Sequence, residues 1–81
     1  MEVKLHRRAK RHLDAIDKHT RARIIAALRG LESEPPTGDI KPLLPKKNRR
    51  CLRIGEYRII FHYEKDIIMV DDIDIRGQIY K

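Results

Sequence analysis

The apolar residues of this 81-residue chain change their spacing once, and that change divides the fold. Up to Leu31 they recur at helical intervals. Ala9, Leu13 and Ile16 share one face, and Ile24, Leu28 and Leu31 share another, widened by Ile25 and Ala27. From Arg50 onward the interval is that of a strand: Cys51 and Arg53 alternate with Leu52 and Ile54, and Tyr57 to Tyr63 is rich in aromatic and β-branched residues. Pro35-Pro36 separates the two regimes, because a helix does not run through consecutive prolines.

Local signals fill in the order of elements. Glu2–His6 alternates as a short strand, and Asp17 to Thr20 interrupts the helical pattern while offering capping side chains for a second helix. Gly30 costs about 1 kcal/mol relative to alanine inside a helix, which suggests a close helix–helix approach. Thr37–Asn48 reads as a loop around Leu43-Leu44. Gly55-Glu56 and Glu64-Lys65-Asp66 read as turns, and the Ile-Ile-Met-Val run in Ile67–Ile75 as a central strand covered on both faces. The expected fold is α+β, β-α-α-β-β-β: an N-terminal strand and a helical hairpin packed on one face of a small, mainly antiparallel sheet, in a single domain over residues 1–81.

A chain of this size buries roughly 60–65% of its unfolded surface, so it has one modest core and gains from a partner. Its single cysteine, Cys51, forms no intrachain disulfide, and no Cys/His cluster has zinc spacing; no metal or cofactor is expected. The opening MEVKLHRRAKRH lacks the apolar stretch of a signal peptide, and no segment reaches the roughly 20 apolar residues needed to span a bilayer. The expectation is a cytoplasmic protein with no membrane partner.

Nineteen Lys and Arg against twelve Asp and Glu give a net charge of +7. The charge is sorted: Lys41 to Arg58 holds seven bases and one acid, whereas Glu64 to Asp74 holds five acids and one base. A basic patch of that kind points to a polyanion or an acidic protein. Strand period puts Arg58, Ile60 and His62 on one face of their strand and Tyr57, Ile59, Phe61 and Tyr63 on the other.

Leu52-Arg53-Ile54-Gly55-Glu56-Tyr57-Arg58-Ile59-Ile60-Phe61 resembles the core motif of the RelE/ParE toxin superfamily, and Asp74-Ile75-Arg76-Gly77-Gln78-Ile79-Tyr80 resembles its terminal arginine and tyrosine. The order of elements agrees over nearly the whole chain. The resemblance implies the toxin of a type II toxin–antitoxin module. Its RelE branch cuts mRNA on the ribosome without metal, and its ParE branch inhibits DNA gyrase without nuclease chemistry. The partners it implies are a cognate acidic antitoxin, mRNA on the ribosome and, for the toxin–antitoxin complex, operator DNA.

On that resemblance the catalytic set is Arg58, Arg53, Arg76 and Tyr80, with Lys46, Lys47, Arg49 and Arg50 as RNA- or ribosome-binding residues. The planar fork of Arg58 suits two phosphate oxygens; the alternative is a strand arginine paired with Asp72 or Asp74. Arg53 is a phosphate binder or a solvated strand arginine. Tyr80 stacks on a base, shares in proton transfer, or closes the end of the sheet. His62 is a candidate acid/base because it titrates near neutrality; its alternative is a partly buried strand histidine. Asp72 and Asp74 are expected to share a face that Asp71 does not, with arginine pairing favoured over a metal site. Two positions depart from the pattern. Cys51 stands where a Lys or Arg often occurs, its thiol open to a lowered pKa from nearby cations, and Ile75 stands where a histidine often occurs.

Overall fold

A computed structural model describes residues 2–42 and 48–75. The elements are β1 (Glu2–Leu5), α1 (Arg7–Ala15), α2 (Lys18–Leu31), β2 (Asp39–Pro42), β3 (Arg50–Ile54), β4 (Tyr57–Glu64) and β5 (Ile67–Ile75). The strands form one sheet in the order β1-β5-β4-β3-β2. β1 lies parallel to β5, and the other neighbours are antiparallel.

This is the α+β architecture the sequence predicts, with one strand more. β2 lies inside the stretch expected to be loop, and it pairs Ile40 with Leu52 and Pro42 with Arg50. It has a single large aliphatic residue and ends in a proline, which lacks the N–H of a ladder donor. Both traits suit the edge of a sheet and hide a strand from pattern reading.

The helical apolar stripes meet the inward positions of the strands in one core. Ala9, Leu13, Ile24, Leu28 and Leu31 pack with Leu52, Ile59, Phe61, Ile68, Val70 and Ile73. Each large side chain fully withdrawn from water there contributes about 1.5–3 kcal/mol. Ile25, expected to widen the stripe, is exposed instead. β5 lies inside the sheet but is not covered on both faces: Ile68, Val70 and Ile73 are buried, while Ile67 and Met69 are half-buried.

The helices are fixed at their ends. Asp17 Oδ2 accepts from Thr20 N at 3.0 Å, and this bond to the carboxylate holds its pKa below the usual value. Arg21 Nη2 of α2 donates to Ile16 O at 2.9 Å, satisfying a carbonyl just past α1. Gly30 does not meet the other helix. The returning loop closes on it, with Thr37 N donating to Gly30 O at 3.0 Å and Thr37 Oγ1 2.5 Å from where a Cβ would stand.

Both β-hairpins of the second half turn over two residues, since Ile54 pairs with Tyr57 and Glu64 with Ile67. Gly55 takes φ +56° at the first turn position. A Cβ there would find its nearest neighbour at 3.7 Å, so the objection to a side chain is the backbone conformation and not space. Gly55→Ala should therefore lower stability by about 1–2 kcal/mol, and Gly55→Asn by less, since asparagine tolerates the left-handed region. Urea unfolding of the three proteins checks this; equal midpoints for wild type and Gly55→Ala would show that the turn does not hold this geometry.

Candidate nucleic-acid interface

The face of β3, β4 and β5 turned away from the core is built in three rungs. In the first, Arg53 and Arg58 are direct cross-strand partners, with Asp39 of β2 opposite Arg53 and Asp74 of β5 opposite Arg58. Arg53 and Arg58, both named by the resemblance, are therefore neighbours across the hairpin. Two arginine positions thus adjoin there, with an aspartate position beyond each. Like charges placed directly opposite destabilise a sheet, and the outer aspartates offset that cost.

The second rung is apolar. Cys51 and Ile60 pair across the strands and form a small cluster of their own, separate from the main core. Cys51 is 3% exposed. Burial pushes its thiol up, and the nearby Arg58 and Arg53 offset this only in part. The lowered pKa expected from neighbouring cations is thus overturned: desolvation outweighs their attraction.

The third rung is a charged network. His62 Nδ1 lies 2.8 Å from Asp71 Oδ2, and His62 Nε2 lies 3.1 Å from Glu64 Oε2. The same Asp71 oxygen is 3.1 Å from Arg49 Nε. Both imidazole nitrogens face carboxylate oxygens, which only accept, an arrangement that favours the protonated ring, in which both nitrogens donate. The bond to Asp71 is the main reason that the His62 pKa stands above its usual value; Glu64 adds to it, while burial and Arg49 oppose.

A bulge in β5 makes this rung. Ile60 pairs with Asp72 but Phe61 with Val70, leaving Asp71 as the extra residue. Asp71 meets His62 on the open face, whereas Asp72 turns toward α1, where Asp72 Oδ1 lies 2.7 Å from His12 Nδ1. The bulge overturns the expectation for Asp71, which joins the open face, whereas Asp72 and Asp74 keep an uninterrupted register beyond it, opposite Ile60 and Arg58. The sequence carried a sign of it: the buried residues Ile68, Val70 and Ile73 are spaced by two and then by three.

The expected binding residues are divided. Arg49 joins the open face through Asp71, whereas Arg50 lies with its Cζ 5.4 Å from the ring centroid of Tyr63. Lys46, Lys47, Arg76 and Tyr80 lie outside the described residues, as does the side chain of Ile75. Among the described residues, no three His, Cys, Asp or Glu side chains are grouped as a metal ion would require, and no helix is long and apolar enough to cross a membrane.

The fold of this small basic α+β domain recurs in solved structures. The toxin–antitoxin complex RelBE2 from Mycobacterium tuberculosis matches with a TM-score of 0.77 at 22% identity, covering 93% of this chain and 96% of that one. The RelB–RelE antitoxin–toxin complex from Methanococcus jannaschii matches with a TM-score of 0.78 at 24% identity, covering 94% and 93%. The archaeal RelE–RelB complex from Pyrococcus horikoshii OT3 matches with a TM-score of 0.77 at 24% identity, covering 95% and 96%. No curated protein matches by sequence. The family model described as the ParE toxin of the type II toxin–antitoxin system, parDE, matches residues 3–80. The chain belongs to this family, within the RelE/ParE superfamily of type II toxins.

The His62 network has a pH signature. A histidine whose folded pKa is raised contributes stability that is fully present below its unfolded value, about 6.5, and is lost as pH rises through the folded value. Wild type should therefore exceed His62→Gln in stability at pH 6, and the difference should narrow as pH rises above that of the folded group. Urea unfolding at a series of pH values measures it; a difference independent of pH would mean that His62 is not held as an imidazolium.

Proposed function

We propose that this toxin is a ribosome-dependent mRNA endoribonuclease that blocks translation. The observation that carries this reading is the direct pairing of Arg53 and Arg58 on the open sheet face. Two guanidinium groups at that spacing suit one phosphodiester and the extra charge that develops on its oxygens.

The reaction needs no metal. The ribose 2′-oxygen attacks the adjacent phosphorus, the bond to the 5′-oxygen breaks, and a 2′,3′-cyclic phosphate and a 5′-hydroxyl result. One group must take the 2′-hydroxyl proton and another must protonate the leaving oxygen. We assign charge stabilisation to Arg58, Arg53 and Arg76, and a share of proton transfer to Tyr80. His62 is less suited to that role, since Asp71 and Glu64 take both its ring nitrogens. It also lies four strand residues from Arg58, about 13 Å. With proton-transfer groups this sparse, orientation of the message by the ribosome supplies much of the rate.

The partner we propose is a cognate acidic antitoxin, partly disordered when free, that folds onto the basic domain and raises its stability by mass action. The toxin–antitoxin complex is proposed to bind operator DNA, and the toxin to act in the cytoplasm.

A second reading is gyrase inhibition without nuclease chemistry. The match to the ParE family model favours it, as does Cys51, a buried neutral thiol where the resemblance leads one to expect a cation.

Primer extension on an mRNA being translated in a purified system separates the two. Wild type should cut inside codons, with no cuts when ribosomes are omitted, and Arg58→Ala should reduce cutting by roughly 10²–10³-fold. Intact mRNA alongside DNA breaks trapped on gyrase would overturn the nuclease reading in favour of the second.

A further inference from the structure

The open face carries cations at two places, and the catalytic proposal uses only one. Arg49 stands four residues before Arg53, about 13 Å along an extended chain. It does not swing freely toward Arg58: Asp71 Oδ2 grips its Nε at 3.1 Å, and the same oxygen is fixed by His62 at 2.8 Å. Because the grip is on Nε, the terminal amines of the guanidinium remain as donors on a side chain about one-third exposed. Between the two cationic places lies the uncharged pair Cys51 and Ile60.

The cations thus recur along β3 with a buried, uncharged pair between them, as phosphates recur along a single nucleic-acid strand. We propose that Arg49 forms a second phosphate subsite, so that single-stranded RNA runs along β3 with one phosphate at Arg53 and Arg58 and a later one at Arg49. Asp71 acts as a positioning residue, holding Arg49 on the open face, and His62 and Glu64 hold Asp71 in turn. This rests on the RNA reading above and adds to it a second phosphate position and a role for an acidic residue.

An aspartate in an RNA site makes the proposal easy to test, because the two possible roles of Asp71 have opposite signs. If it is only a negative charge near the RNA, Asp71→Asn tightens binding. If it positions Arg49, Asp71→Asn weakens binding although the protein has become more positive.

The experiment is fluorescence anisotropy of a labelled single-stranded RNA of about ten nucleotides, without ribosomes, over a range of salt. The proteins are wild type, Arg49→Ala, Asp71→Asn, the double variant and Asp71→Glu, each checked for folding by thermal melting. Arg49→Ala should weaken binding roughly tenfold, about 1.4 kcal/mol, and lower the slope of log K against log salt by about 0.7, one phosphate contact. Asp71→Asn should weaken binding several-fold in the wild-type background and not in the Arg49→Ala background, with Asp71→Glu recovering part of the loss. Tighter binding by Asp71→Asn, a salt slope unchanged in Arg49→Ala, or no RNA binding by wild type would each overturn the subsite. Loss of Asp71→Asn to misfolding leaves the slope of Arg49→Ala to decide. Binding is read here without cleavage, so a failed nuclease assay with an intact binding cycle would overturn the nuclease reading alone.

Discussion

The arrangement of the whole molecule turns on one extra residue in β5. Inserting Asp71 between Val70 and Asp72 shifts the phase of β5, so that Ile73 follows Ile68 and Val70 into the core while Asp71 and Asp72 stay out of it. Asp71 goes to His62 and Arg49 on the open face, and Asp72 goes to His12 on α1. His12 does a second job there. The ladder to β1 ends at Leu5, the next backbone amide, His6 N, donates to Val70 O, and beyond it Ile73 O is 3.0 Å from His12 Nδ1. A side chain of the helix thus takes over an acceptor that the short neighbouring strand cannot reach.

The distribution of charge sets stability against function. A chain of net charge +7 with two arginines facing each other across a hairpin works against its own folding. The offsets are local: an aspartate position at each end of the first rung, and a carboxylate on each side of His62 in the third. Acids laid out in this way spare the guanidinium groups from repelling one another while leaving the face basic. Local conflict of this kind within an otherwise consistent sequence is expected where a protein meets its target.

Much of the fold was legible because the deciding signals were periodic. Ala9, Leu13, Ile24, Leu28 and Leu31 lie in the core where helical spacing puts them, and Leu52, Ile59 and Phe61 where strand spacing puts them. The pairing of Arg53 with Arg58 followed from the family motif together with a two-residue turn. What escaped had no period. β2 has one inward aliphatic residue and a terminal proline. Gly30 received a returning loop that no local pattern encodes. The third rung depended on the bulge, visible beforehand only as a step of three among buried positions, so Asp71 could not be joined to His62 and Arg49 by alternation. The fate of the Cys51 thiol depended on burial, which the charge of its neighbours could not reveal.

Asp71 and Asp72, adjacent at the bulge of β5, go to different histidines. Nitrogen-15 NMR of the imidazole rings in Asp71→Asn and Asp72→Asn, read against wild type at one pH, tests it most directly. The account predicts that Asp71→Asn shifts the ring nitrogens of His62 and leaves those of His12 in place, while Asp72→Asn does the reverse. Both substitutions acting on the same histidine would contradict it, because the two carboxylates would then not be divided between the open face and α1.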